Sequence, residues 1–114
     1  MQQACALFVD RGFAATSIDE LVKATGVVRG SLYSIFGSKQ GIFAAALENA
    51  VSYYGGQDDQ TMLLDLVNVA VYEVASHNSE ISRLVQRVID THGISAAMLG
   101  QRALERAGLN GPNR

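Results

Sequence analysis

Proline, cysteine and tryptophan are nearly missing from this chain: its 114 residues hold one proline, Pro112, one cysteine, Cys5, and no tryptophan. A lone cysteine cannot close an internal disulfide, and with His77 and His92 as the only histidines there is no recognisable zinc-ligand spacing. Cys5 therefore reads as a small buried apolar residue. Long apolar runs are missing too. No stretch approaches the roughly 18 residues of a membrane span, and no basic segment leads into an apolar one as in a signal peptide, so a cytoplasmic address away from membranes is expected. The chain also lacks the positive excess that phosphate binding favours, since nine basic against eleven acidic residues leave a net charge of −2. No nucleophile, base and orienter can be assembled, so no enzyme is expected, and nothing calls for a cofactor or a metal.

What the chain does have is helical periodicity. Apolar residues make up 48% and charged residues 18%, the balance of a chain that folds. Alanine, leucine and valine recur at helical steps, and no alternating strand run appears, which predicts an all-α fold. Helix 1 is read over Gln3–Arg11, closed by Gly12. Helix 2 opens at Ser17, with Glu20 three residues on completing a capping box, and turns at Gly26. Helix 3 spans Val28–Phe36. Helix 4 starts from the Ser38 cap and runs to Gly55-Gly56, linking the two halves. Beyond the Asp58-Asp59 start signal, helix 5 carries Met62, Leu63, Leu66, Val67, Ala70, Val71 and Val74. Helix 6, capped by Asn78 or Ser79 and ended by Gly93, carries Ile81, Leu84, Val85, Val88 and Ile89. Helix 7 runs from about Ser95 to Ala107, with Leu99, Ala103, Leu104 and Ala107 as its stripe, and Gly108–Arg114 is expected to fray. The double glycine divides the chain into residues 1–54 and 55–114. Each piece is near the size at which a lone core is marginal, so the halves are expected to share surface or to dimerise.

Helices 2 and 3 are joined too closely to be antiparallel neighbours and meet at a glycine, as in a helix-turn-helix, where the second helix enters the major groove. Leu21, Val27, Leu32 and Ile35 are read as inward-facing, leaving Arg29, Gly30, Tyr33 and Ser34 on the open face. An arginine reaches guanine edges or phosphate, a glycine permits close approach, and hydroxyls bond phosphates or base edges. Thr16 and Ser17 at one helix start, and Ser38 and Lys39 at another, are placed to hold phosphates beside it. No acidic residue occurs from Val27 to Ala45, which leaves Arg29 and Lys39 as a small basic patch.

The motifs Ala-x-x-Leu-Phe-x-x-x-Gly-Phe, Thr-Ser-Ile-x-Glu-Leu, Gly-Val-x-x-Gly-Ser-Leu-Tyr-x-x-Phe and Ser-Lys follow in order between Ala4 and Leu47. Together they resemble the DNA-binding domain of TetR-family transcriptional regulators. The resemblance implies a helix-turn-helix domain joined by helix 4 to a helical dimerisation domain. It also implies a homodimer that binds a palindromic double-stranded operator and represses transcription until a small apolar effector occupies the second domain. By the same resemblance, Arg29, Gly30, Tyr33 and Ser34 form the recognition face, and Thr16, Ser17 and Lys39 match phosphate-contacting positions. Val28 stands where the family usually has a serine or threonine that caps helix 3 and touches phosphate. Val22 stands where alanine is common. The second half offers about three helices, fewer than the family's usual complement.

Plainer readings stand beside these. Tyr33 could be a half-buried core aromatic, and Arg29 and Lys39 solvated surface charges. Met62, Leu63, Met98 and Leu99 could line an effector pocket, but such stripes are more often core or dimer interface, and helices 6 and 7 are read as the dimer-forming pair. Glu73 and His77, four residues apart, could face a metal, although structural roles are far commoner. His92 is read as an interaction with the helix 6 carboxy-terminal dipole. The alternative to a regulator is an all-helical module that binds a protein or an apolar ligand without reading DNA.

Overall fold

The computed structural model describes residues 1–111, and its helices follow the capping signals closely. They are α1 (Gln2–Arg11), α2 (Ile18–Thr25), α3 (Arg29–Phe36), α4 (Lys39–Tyr54), α5 (Thr61–Val69), α6 (Ser79–His92) and α7 (Ala96–Arg106). A π-helical segment, Ala70–Val74, and a 3-10 turn, Ala75–His77, continue α5 towards α6. No strand occurs among the described residues, so the fold is all-α. Ser17 accepts from the Glu20 amide while Glu20 accepts from the Ser17 amide, closing the expected capping box. Gly26 ends α2 in the left-handed region at φ 73°. Of the two candidate caps for α6, Asn78 is used, accepting from the Ile81 amide at 3.0 Å. The expected frayed tail begins in order, with the Gly108 and Leu109 amides bonded to the end of α7. Its last three residues, Pro112, Asn113 and Arg114, lie outside the described residues.

One continuous core crosses the Gly55-Gly56 junction. Phe8 of α1, Leu21 of α2, Leu32 of α3 and Phe43 and Leu47 of α4 join Leu63, Leu66 and Val67 of α5 and Ile81, Leu84, Val85 and Val88 of α6 in a single buried cluster. The two halves thus share surface, as their sizes require. α5 makes this possible by packing on both α1 and α4. Phe8, Phe13 and Phe43 meet edge-on or stacked at ring separations of 5.1–6.0 Å and fasten the α1–α2 turn to α4. Cys5 is buried as expected, its Sγ donating to the Ala46 carbonyl, and burial pushes its thiol pKa up.

Three expectations about packing need correction. Ile35 does not face inward; it lies near the carboxy-terminal end of α3 and is 66% exposed, because Leu32 and the half-buried Phe36 take the core side of that short helix. Val71 leaves the helix 5 stripe and is exposed, because the π segment widens the turn and breaks the 3.6-residue phase. The apolar stripe of α6 is consumed by the chain's own core, whereas α7 has no fully buried residue and leaves Ala96, Gly100 and Ala103 exposed. α7 packs on the core through Met98 and Leu99 and is held by polar contacts as well. Arg102 makes a two-pronged pair with the buried Asp65 carboxylate at 2.7 and 3.1 Å, and Asn68 donates to the Leu99 carbonyl. The pairing raises the Arg102 pKa.

Candidate nucleic-acid interface

α3 presents the residues that a groove-reading helix would need. Leu32 is fully buried beneath it, while Val28, Arg29, Gly30, Tyr33 and Ser34 are exposed, Tyr33 by 40%. A methyl group added at Gly30 would meet no atom within 4 Å, so the fold itself sets no steric demand for glycine there. Val28 is the N-cap residue of α3 and offers no side-chain acceptor, so the first amides of α3 have no side-chain cap. Tyr33 lies under the Arg29 guanidinium, 5.9 Å from ring centroid to Cζ.

The basic patch is smaller than the sequence gap in acidic residues implies. Arg29 pairs with Asp19 at 2.9 Å and Arg11 pairs with Glu20 at 2.8 Å, because α2 brings its two acidic residues alongside. Both pairs are solvent-exposed, so each holds its arginine only weakly and a phosphate can exchange for the carboxylate. Glu20 is held below the usual glutamate range, first by the Ser17 amide that it accepts from.

The phosphate-side residues divide. Ser17 is exposed at the start of α2, where its oxygen is engaged in the cap and its hydroxyl proton is free to donate. Ser38 caps α4 by accepting from the Gly41 amide at 3.0 Å. Thr16 corrects the sequence reading: it is fully buried and its hydroxyl donates to the Gly12 carbonyl, so it organises the turn and offers nothing to a phosphate. Lys39 is folded back over the Phe13 ring, 4.4 Å from its centroid, with Nζ 3.4 Å from the Ala14 carbonyl. Desolvation lowers its pKa, and the nearby Glu73 charge works in the opposite direction.

Glu73 takes the structural role that the sequence favoured over a metal, with partners that the sequence did not indicate. Its carboxylate accepts from the Phe13 and Ala14 amides at 3.2 and 3.0 Å, across about sixty positions of chain, and does not pair with the exposed His77. Among the described residues no cluster of three or more candidate ligands could hold a metal. Its place in the sequence carries no signal for this contact, because the π segment, not the heptad-like stripe, sets its direction. Met62, Leu63, Met98 and Leu99 pack into or against the core, the commoner of the two roles open to them, with Leu63 fully buried and the other three partly so. A groove of about 270 Å³ lies instead between α5, the π segment and α7, lined by Asn68, Val69, Tyr72, Glu73, Ala103 and the Asp65–Arg106 pair. That is slightly below the roughly 300 Å³ lower bound of small-molecule sites. His92 lies against Gly55, where an added methyl would come within 2.7 Å of its ring.

Residues 1–46 match the family of bacterial regulatory proteins named for tetR. Over those residues the chain is similar to TetR-type regulators. The match covers α1, α2 and α3 and the first half of α4, which is the whole of the helix-turn-helix. A relative of this TetR-type domain, the HTH-type transcriptional repressor ComR of Escherichia coli, is 31% identical over 65 residues, 57% of this chain. The matched stretch is 31% of that repressor's length. No solved structure matches the chain. No helix among the described residues is long and apolar enough to cross a membrane.

Proposed function

We propose that this chain is a DNA-binding transcriptional repressor that acts in the cytoplasm as a homodimer on a palindromic operator. The observation that carries the reading is the face of α3: Leu32 is buried beneath the helix, while Gly30, Tyr33 and Ser34 are exposed and Arg29 is held only by an exposed pair with Asp19, beside the open helix start at Val28. The match to tetR-type regulators and the printed description of ComR as a repressor support the same reading. In the complex, Arg29 exchanges Asp19 for a base edge or phosphate, Gly30 lets the groove wall approach, and Tyr33, Ser34, Ser17 and Lys39 hold the backbone on either side. Val28 contributes shape and its helix-start amides rather than a hydroxyl.

Dimerisation is assigned to α7 rather than to α6, since α7 keeps its small residues exposed while α6 spends its apolar face within the monomer. The two α3 copies should then stand about 34–36 Å apart, one helical turn of DNA. Effector release would act through the groove beside α7, and ligand-dependent loss of duplex binding is its test.

The deciding experiment is selection from a random duplex library followed by titration over a range of salt. A single enriched half-site motif, with affinity falling as salt rises, is the expected result. Arg29→Ala should weaken the selected duplex by about 1–3 kcal/mol and leave dimerisation intact. No enrichment at low salt, or equal loss of binding and assembly in Arg29→Ala, would favour a module that binds something other than DNA.

A further inference from the structure

We infer that Glu73 is a positioning residue for Lys39, by which the second half of the chain sets the geometry of the reading head; this rests on the proposed DNA-binding role. The α1–α2 turn is held from two sides. From the second half, the Glu73 carboxylate accepts from the Phe13 and Ala14 amides, one oxygen to each. From α4, Lys39 Nζ reaches the carbonyl of the same Ala14 and covers the Phe13 ring. The peptide units of Phe13 and Ala14 thus connect a carboxylate on the π segment to an ammonium at the first turn of α4.

The surroundings are built for that approach. Gly12 adopts φ 83°, and a methyl group added to it would fall 2.5 Å from Glu73 Oε2, so glycine is required both by backbone conformation and by the carboxylate's closeness. Glu73 sits in the π segment, the one stretch of the bundle whose backbone departs from α-helical winding before the 3-10 turn. Glu73 also forms part of the groove beside α7. A change there reaches Lys39 through one side chain and two peptide units.

Geometry and charge make opposite predictions. If Glu73 acted by its charge, removing it would strengthen phosphate binding. If it acts by holding the turn, removing it scatters Lys39 and weakens binding. The partly exposed setting screens charge, and two charge-assisted hydrogen bonds fix the turn, so geometry wins.

The test uses the full chain as wild type, Glu73→Ala, Glu73→Gln, Lys39→Ala and the Glu73→Ala/Lys39→Ala double variant. In Glu73→Ala, Phe13 and Ala14 amide exchange should quicken by about tenfold or more while α6 amides are unchanged. Glu73→Gln, which keeps an acceptor, should recover part of the protection. On the duplex selected by the wild type, Glu73→Ala should bind about tenfold more weakly, with the salt slope reduced by about 1 as in Lys39→Ala. It should add little in the Lys39→Ala background, because both changes remove one contact. Unchanged protection of the two amides overturns the proposal. So does wild-type or tighter binding by Glu73→Ala, or a full additive loss in the double variant. If the wild type enriches no duplex, the DNA-binding reading fails by itself, and the proposal is then judged on the turn: Glu73→Ala must release both amides and shift the Lys39 side-chain resonances, or it is wrong.

Discussion

Gly30 separates what the fold requires from what a groove would require. Nothing crowds the position, so Gly30→Ala should raise stability by about 0.5–1 kcal/mol through helix propensity, read as a higher urea midpoint. On a selected duplex the same variant should lose roughly 1–3 kcal/mol, the size of one mismatched base pair. Val28 gives the converse test two positions earlier in the chain. Its side chain cannot cap α3, so Val28→Ser should gain about 0.5–1 kcal/mol of stability and tighten duplex binding, as calorimetry and titration would show. Both residues were visible in the sequence, Gly30 by its place on the helix and Val28 by the hydroxyl it lacks. The inward turn of the Thr16 hydroxyl was not, because burial at a turn depends on the Gly12 carbonyl meeting it.

At the scale of elements, the helix starts were the most legible part of the chain. A capping box is a contact between residues three apart, so Ser17 and Glu20 specify it without help from the rest of the fold. Ser17→Ala should cost about 1 kcal/mol and destabilise α2 first, measured by amide exchange along Leu21 to Ala24. Because Glu20 titrates below its ordinary value in the folded chain, its contribution is complete above the usual glutamate pKa and is lost as pH falls through the lowered value. Acid titration of the chain followed by circular dichroism should therefore show a loss of stability that Glu20→Gln removes. The end of helix 5 was less legible. Periodicity assumes 3.6 residues per turn, and the π segment from Ala70 to Val74 violates that assumption, exposing Val71 and Tyr72 and aiming Glu73 at the α1–α2 turn.

One core runs through the whole described molecule, across the Gly55-Gly56 junction. Leu66 sits fully buried in α5, the helix that packs on α1 and α4 while continuing towards α6. Leu66→Ala should cost about 2–5 kcal/mol and lower the unfolding midpoint of both halves together, with amide exchange in α2 and in α6 giving coincident transitions. Separate transitions would show that the halves fold independently. The Asp65–Arg102 pair ties α7 to this core by charge where the apolar stripe is thin. An acidic residue alone in the apolar run of helix 5 was a signal of such a pair, although its partner thirty-seven positions away was not.

The sequence by itself determined the helix-turn-helix: the caps, the glycine turn, the exposed Arg29, Gly30, Tyr33 and Ser34, and the link along α4 all follow from contacts within a few residues and from helical phase. Tertiary structure alone decided which charges are neutralised, which hydroxyl turns inward, and which face of the second half stays open. Those outcomes depend on groups brought together from distant positions, Asp19 beside Arg29, Glu73 beside Phe13 and Ala14, and Asp65 beside Arg102. Local periodicity carries no information about such meetings, because their energies appear only once the shared core has set the helices against one another.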